Sequence, residues 1–98
     1  MPDESSDIRV IHNAEAERFE IRVDGMVAVL DYQRHGDTIL FTHTGVPPEL
    51  EGRWLGSRLV RAGLEYAREN SLKVGSLCWF VNGYMRRHPE YEDLRGKQ

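Results

Sequence analysis

Three side chains in this sequence carry groups suited to moving a proton or an acyl group: His43, Cys78 and Tyr84. A histidine ionises near neutrality and suits a base that takes a proton from an amine. A cysteine thiolate is a nucleophile, and a tyrosine hydroxyl can return a proton to a leaving group. The stretch HTGVPPELEGRWLGSRL, residues 43–59, opens on the histidine and passes from a strand-like pattern to a helix-like one through Gly52, Arg53, Trp54, Leu55, Gly56 and Ser57. A strand that hands over to a helix through glycines presents free backbone N–H groups at the positive end of the helix dipole. Phosphate or pyrophosphate is the usual occupant. The same glycines fit a helix start that needs them only for packing, and a two-glycine loop does not separate these readings. Plain structural roles stand beside each chemical one. A lone cysteine in an apolar strand is usually inert, a tyrosine on a short helix often packs, and a histidine can be satisfied within a sheet. One cysteine and scattered histidines supply no local zinc site.

The elements that must position these groups follow from periodicity. Ile8, Val10 and His12 fall on one side of a strand-like run, and Phe19, Ile21 and Val23 alternate strictly with Glu20, Arg22 and Asp24. Asp24-Gly25 is a hairpin signal. An apolar strand from Met26 follows, then a turn at Gly36 and a strand from Thr38 to Thr44. Tight turns between consecutive strands predict an antiparallel meander. Pro47-Pro48 stops the last of these strands. From about Gly52 the period changes, with Leu55, Leu59, Ala62, Gly63, Tyr66 and Ala67 spaced for an amphipathic helix that ends near Asn70. Residues 73–80 predict a further strand, apolar enough to be central and parallel to its predecessor. A short helix over residues 81–87 ends at Pro89, after which Tyr91 and Leu94 fold back onto the body. The fold class expected is α+β: a meander, a helix, a parallel strand and a short C-terminal helix.

Composition bounds the rest. Ninety-eight residues make one domain, expected over residues 8–95, with residues 1–7 a disordered N-terminus. A chain 40% hydrophobic and 30% charged is ordinary globular material, and its apolar runs are too short for a membrane span. A net charge of −3 argues against a nucleic-acid partner. The single cysteine and the polar N-terminus predict a reducing, cytoplasmic setting. Arg61 and Arg68 are read as a solvated helix face, and His12 and His35 as surface or turn residues.

HTGVPPELEGRWLGSRLVRAGLEYAREN followed by KVGSLCWFVNGYMRRHPEY resembles the short, single-domain YjdJ-type branch of the GNAT acetyltransferase superfamily. That branch tends to combine an H-T-E-V-P strand end, an R-G-x-G-I-G-S-x-L helix start and a C-P-F-V…Y…R-H-P-E-Y tail. The resemblance spans residues 8–94. It implies a GNAT-like fold, binding of acetyl-CoA, and transfer of the acetyl group to an amine acceptor, whether a protein or a small molecule. It implies that residues 52–57 hold the pyrophosphate and that the strand end at Thr44 and Val46 pairs with the pantetheine amides. Asn82 and Tyr84 fall where the superfamily places side chains against the pantetheine and the leaving sulfur. Arg86 and Arg87 are candidates for the 3′-phosphate, Arg87 the one carried forward, and Cys78 for a nucleophile or acid beside the thioester.

Three positions depart from that pattern. The superfamily's loop reads Q/R-x-x-G-x-G/A, and here Glu51 and Trp54 replace its first residue and first glycine. Gly45 stands where the branch often has Glu. The resulting expectation is an N-acetyltransferase, monomeric or weakly dimeric, in which the amine attacks the thioester directly. The alternative is a coenzyme A or acyl-CoA binding module with little catalysis, and a third reading is an interaction domain that has lost the cofactor.

Overall fold

The computed structural model describes residues 8–95, and the stretch expected to be disordered, residues 1–7, lies outside them. Strands β1 (Val10–Asn13), β2 (Arg18–Val23), β3 (Met26–His35) and β4 (Thr38–Gly45) form the expected antiparallel meander. Helix α1 (Leu55–Glu69) then crosses back to β5 (Lys73–Ser76), which pairs with β4 in parallel and completes a sheet of order β1-β2-β3-β4-β5. Helix α2 (Trp79–Arg87) and a final 3-10 segment, Pro89–Leu94, close the chain.

Register explains which side chains become core. The pairs Phe19↔Leu30, Ile21↔Ala28, Tyr32↔Phe41 and Ile39↔Val74 share one face of the sheet, and all eight residues are buried. The apolar stripe of α1, including Leu55, Leu59, Val60, Leu64 and Ala67, lies against that face. Burying such side chains contributes about 1.5–3 kcal/mol each. The other face is more open, with Ile11, Arg22 and Val27 exposed. Glu20 is buried there because Arg22 and Asn13 donate hydrogen bonds to its carboxylate. Among the described residues no helix is long and apolar enough to cross a membrane.

Several expectations change. The strand expected over residues 73–80 ends at Ser76 and occupies the edge of the sheet, not its centre. It ends there because the Ser76 hydroxyl takes the N–H of Cys78 and donates to its carbonyl, 3.1 Å in each case, which turns the chain out of the ladder. Trp79 and Phe80 therefore open α2 two residues earlier than expected. His12 is not a surface residue. Its ring stacks on Phe19 at 4.2 Å, meets Tyr66 edge-on at 4.5 Å, and its Nε2 lies 2.7 Å from the Tyr32 hydroxyl. Burial pushes its pKa down. Arg68 does not belong to a purely solvated face either. It clamps the C-terminal segment through Asp93 and the Glu90 carbonyl. Tyr91 and Leu94 fold back and are buried as expected.

Candidate active site

Strand β4 has two halves. Residues 38–41 pair with β3 on one side and β5 on the other, the last β5 pair being Phe41↔Ser76. Residues 43–45 keep only β3, because β5 has already turned away. At the boundary Asp31 pairs with His43 while Tyr32 pairs with Phe41, so Thr42 is the extra residue of a β-bulge, its hydroxyl donating to the Asp31 carbonyl at 3.3 Å. The bulge reverses the alternation. Without it His43 would follow Phe41 onto the core face. With it Thr44 takes that face, opposite Leu30, and His43 shares the open face with Asp31.

The divergence of β4 from β5 opens a cleft of about 590 Å³. His43, Thr44 and Val46 line one wall, Leu55 and Gly56 the start of α1, and Cys78 and Phe80 the start of α2. The N-terminal turns of two helices therefore border one cavity, and both place positive partial charge toward it. Neither helix has a side-chain cap, and α1 carries no acidic residue in its first turn. The N–H groups of residues 55–57 have no intrahelical acceptor by construction, whereas the Arg58 N–H already bonds to the Trp54 carbonyl at 3.1 Å.

The two glycines serve different ends. Gly52 has φ +87 in the turn before α1. A Cβ on Gly56 would lie 2.9 Å from the Phe80 ring, so the glycine lets the two helix starts approach. Packing and exposure of backbone to the cleft thus coincide at Gly56. Trp54 is the N-cap of α1 at φ 62 and ψ 21, a left-handed conformation that a non-glycine residue adopts at about 1–2 kcal/mol. The residue is 78% exposed, so little burial offsets that strain.

Cys78 lies 3.3 Å from the Thr44 hydroxyl across the cleft and is buried. Burial pushes its thiol up, but hydrogen bonds from the Thr44 hydroxyl and from the backbone N–H groups of Val81, Phe80 and Thr44 outweigh it and bring the pKa below the ordinary cysteine value. His43 is exposed at the lip of the same cleft. Glu51 also lines it, and Leu77 and Trp79 stand at its mouth, 74% and 81% exposed.

Of the side chains expected at a site, the cleft gathers His43, Thr44, Val46, Gly52, Leu55, Gly56 and Cys78. Trp54, Ser57, Tyr84 and Arg87 line a separate groove on the far side of the first turn of α1. Arg53 is exposed in the turn before α1. Tyr84 is buried with its ring stacked on His88 at 4.1 Å, and burial raises its pKa. Asn82 accepts a hydrogen bond from Arg95 at 3.3 Å and lines neither cavity. Leu50, Phe80 and Trp79 are cleft residues that sequence reasoning passed over. The size complement between Gly56 and Phe80 was the one available signal, and it is visible only once α1 and α2 are placed together.

Comparison with known proteins agrees with this fold. The sequence profile described as GCN5-related N-acetyl-transferase matches residues 18–94. Protein NATD1 of Xenopus tropicalis is 34% identical over 90 residues, covering 89% of this chain and 83% of that protein. Protein NATD1 of Homo sapiens is 34% identical over 85 residues, covering 84% and 75%. The NMR solution structure of a GCN5-like protein from Staphylococcus aureus superimposes with a TM-score of 0.73 at 29% identity, covering 95% of this chain and 92% of that one. By profile, relatives and fold, this chain belongs to the family of GCN5-related N-acetyltransferases.

Proposed function

We propose that the chain is an acetyl-CoA-dependent N-acetyltransferase in which an amine attacks the thioester directly. The observation that carries this is the cleft itself, where a strand end without a β5 partner, two uncapped helix starts and the Thr44–Cys78 pair meet. An acyl thioester with a pyrophosphate in its arm supplies the activated acetyl group. The N–H groups of residues 55–57 suit the pyrophosphate, and the β5-facing edge of residues 43–46 suits the amides of the arm, by the pairing that adds a strand to a sheet. Leu50, Val46, Leu55 and Phe80 exclude water from the cleft floor. His43, exposed at the lip, takes the proton from the attacking amine. Cys78 Sγ, whose proton is loosened by its hydrogen bonds, holds the proton that a departing thiolate needs. Tyr84 lies outside the cleft and is not assigned that step.

A second reading rests on Glu51 and Gly45. The first adds a carboxylate to the cleft lining, and the second offers no side chain beside His43. Both favour a coenzyme A binding module with little turnover. Incubation with acetyl-CoA and a panel of primary amines and peptides, read by mass spectrometry, separates the two. An acetylated amine whose formation drops in His43→Ala, at unchanged donor affinity, supports the enzyme. Tight donor binding without transfer to any amine supports the module.

A further inference from the structure

We propose that the lip of the cleft selects the acceptor, and that this acceptor is a lysine side chain of a polypeptide with an apolar residue beside it. Leu77 and Trp79 hold the apolar neighbour, and Glu51 draws in the ammonium group. The inference rests on the acetyltransferase reading above and names its substrate class.

Fixed apolar surface is the first argument. Leu77 and Trp79 are two of the three most exposed large apolar residues described, and they flank the buried Cys78. Neither stands on a loose loop. The Leu77 N–H donates to the Phe41 carbonyl at 2.9 Å, and the Ser76 hydroxyl holds both the N–H and the carbonyl of Cys78. Trp79 opens α2 with its ring nearly perpendicular to that of Phe80, 5.9 Å between centroids. Apolar side chains held in place against water suit a partner surface, because little order remains to be lost on contact.

Charge is the second. Among the described residues that line the cleft, Glu51 is the one carboxylate, and none is a lysine or arginine. Its carboxylate has neither an ion pair nor a hydrogen bond among the described residues. A carboxylate that works against an anionic donor attracts a cationic acceptor, and the open face of the Trp79 indole attracts the same charge.

Shape is the third. Small-molecule sites enclose most of the ligand's surface. Here His43, Glu51, Leu77 and Trp79 are all exposed, so a free small amine at the lip stays largely in water. The Thr44–Cys78 pair is set further in, with Cys78 buried. Lysine carries its amine on a slender four-carbon stem, so the backbone and its neighbours rest on the lip while the nitrogen reaches inward. A chain N-terminus holds its amine at the backbone and lacks that reach. The reaction balances as ammonium and thioester giving amide, thiol and one proton. The C–N bond forms as the C–S bond breaks. Of the two protons leaving the nitrogen, one ends on the sulfur and the other passes by way of His43 to water.

The test measures transfer from saturating acetyl-CoA to four acceptors: two end-capped peptides with one lysine flanked by Leu or by Ala, an uncapped peptide without lysine, and butylamine. The proteins are the wild type, Leu77→Ser/Trp79→Ser and Glu51→Gln. The wild type is expected to prefer the Leu-flanked lysine over the Ala-flanked one about tenfold in kcat/KM, and over the other two acceptors by more. The double variant should erase the preference for Leu at an unchanged melting temperature, since both side chains face solvent. Glu51→Gln should raise KM for the Leu-flanked peptide about fivefold with little change in kcat. Butylamine or the uncapped peptide used as well as the lysine peptides overturns the assignment and leaves the acetyltransferase reading intact. A preference for Leu that survives in the double variant, or faster transfer in Glu51→Gln, overturns it in the same way. Donor binding without transfer to any of the four sinks the acetyltransferase reading and this inference with it.

Discussion

At its C-terminal end α1 is tied down on every side. Arg68 forks onto Asp93 with two 3.1 Å bonds, reaches the Glu90 carbonyl at 2.8 Å and lies over the Tyr91 ring. The Tyr91 hydroxyl donates to Glu65 at 2.6 Å. The N-terminal end of the same helix is the opposite: no side-chain cap, a strained exposed Trp54, Arg61 and Arg87 with no carboxylate partner among the described residues, and a cleft on one flank. A fold satisfies its polar groups where nothing is to be bound. The uncapped backbone N–H groups, the strain and the exposed aromatic at that end are the features on which the proposed ligand site rests.

Opposite responses to substitution at the two ends would sharpen that contrast. Tyr91→Ala, at the closed end, should give the largest change, a loss of about 3–5 kcal/mol in urea unfolding. Trp54→Gly, at the open end, should stabilise by about 1 kcal/mol in the same experiment, because glycine relieves the left-handed strain. Destabilisation there would mean that the Trp54 ring contributes to the fold.

Tyr91 also predicts an alkaline signature. Burial and the Glu65 carboxylate push its pKa up to about 12 from 10.0. Its neutral form is favoured by the folded state, so its contribution is complete below pH 10 and is lost as pH rises toward 12. The slope of stability against pH in that window should flatten in Tyr91→Phe. The smallest expected effect is at the open end: Thr44→Val should raise the pH midpoint of Cys78 alkylation, since the sulfur loses the hydroxyl beside it. An unchanged midpoint would leave the backbone N–H groups of Val81, Phe80 and Thr44 responsible.

The meander, the amphipathic helix and the parallel return strand were legible because each is written in local periodicity, as in Phe19, Ile21 and Val23 or Leu55, Leu59 and Ala62. The site was legible only in part. The bulge at Thr42 decides that Thr44 and not His43 meets Cys78, and one extra residue in a strand leaves no compositional trace. Leu77 and Trp79 extend the apolar run of β5 and so hide its end, although both face solvent. Which helix face Tyr84 occupies depends on how α2 meets α1 through Gly56 and Phe80, a contact between segments far apart in sequence. Arg68 looked solvated because Asp93, its partner, lies 25 residues away.

Calorimetric titration of acetyl-CoA into the wild type and Ser57→Glu tests the central claim most directly. An acidic side chain in the first turn suits the dipole of α1, so the variant should fold at least as stably, yet it sets a negative charge where the pyrophosphate is expected. The account predicts one-to-one binding by the wild type and a loss of at least about tenfold in Ser57→Glu at an undiminished melting temperature. Equal affinity in the two proteins, or no wild-type binding at millimolar donor, would contradict it.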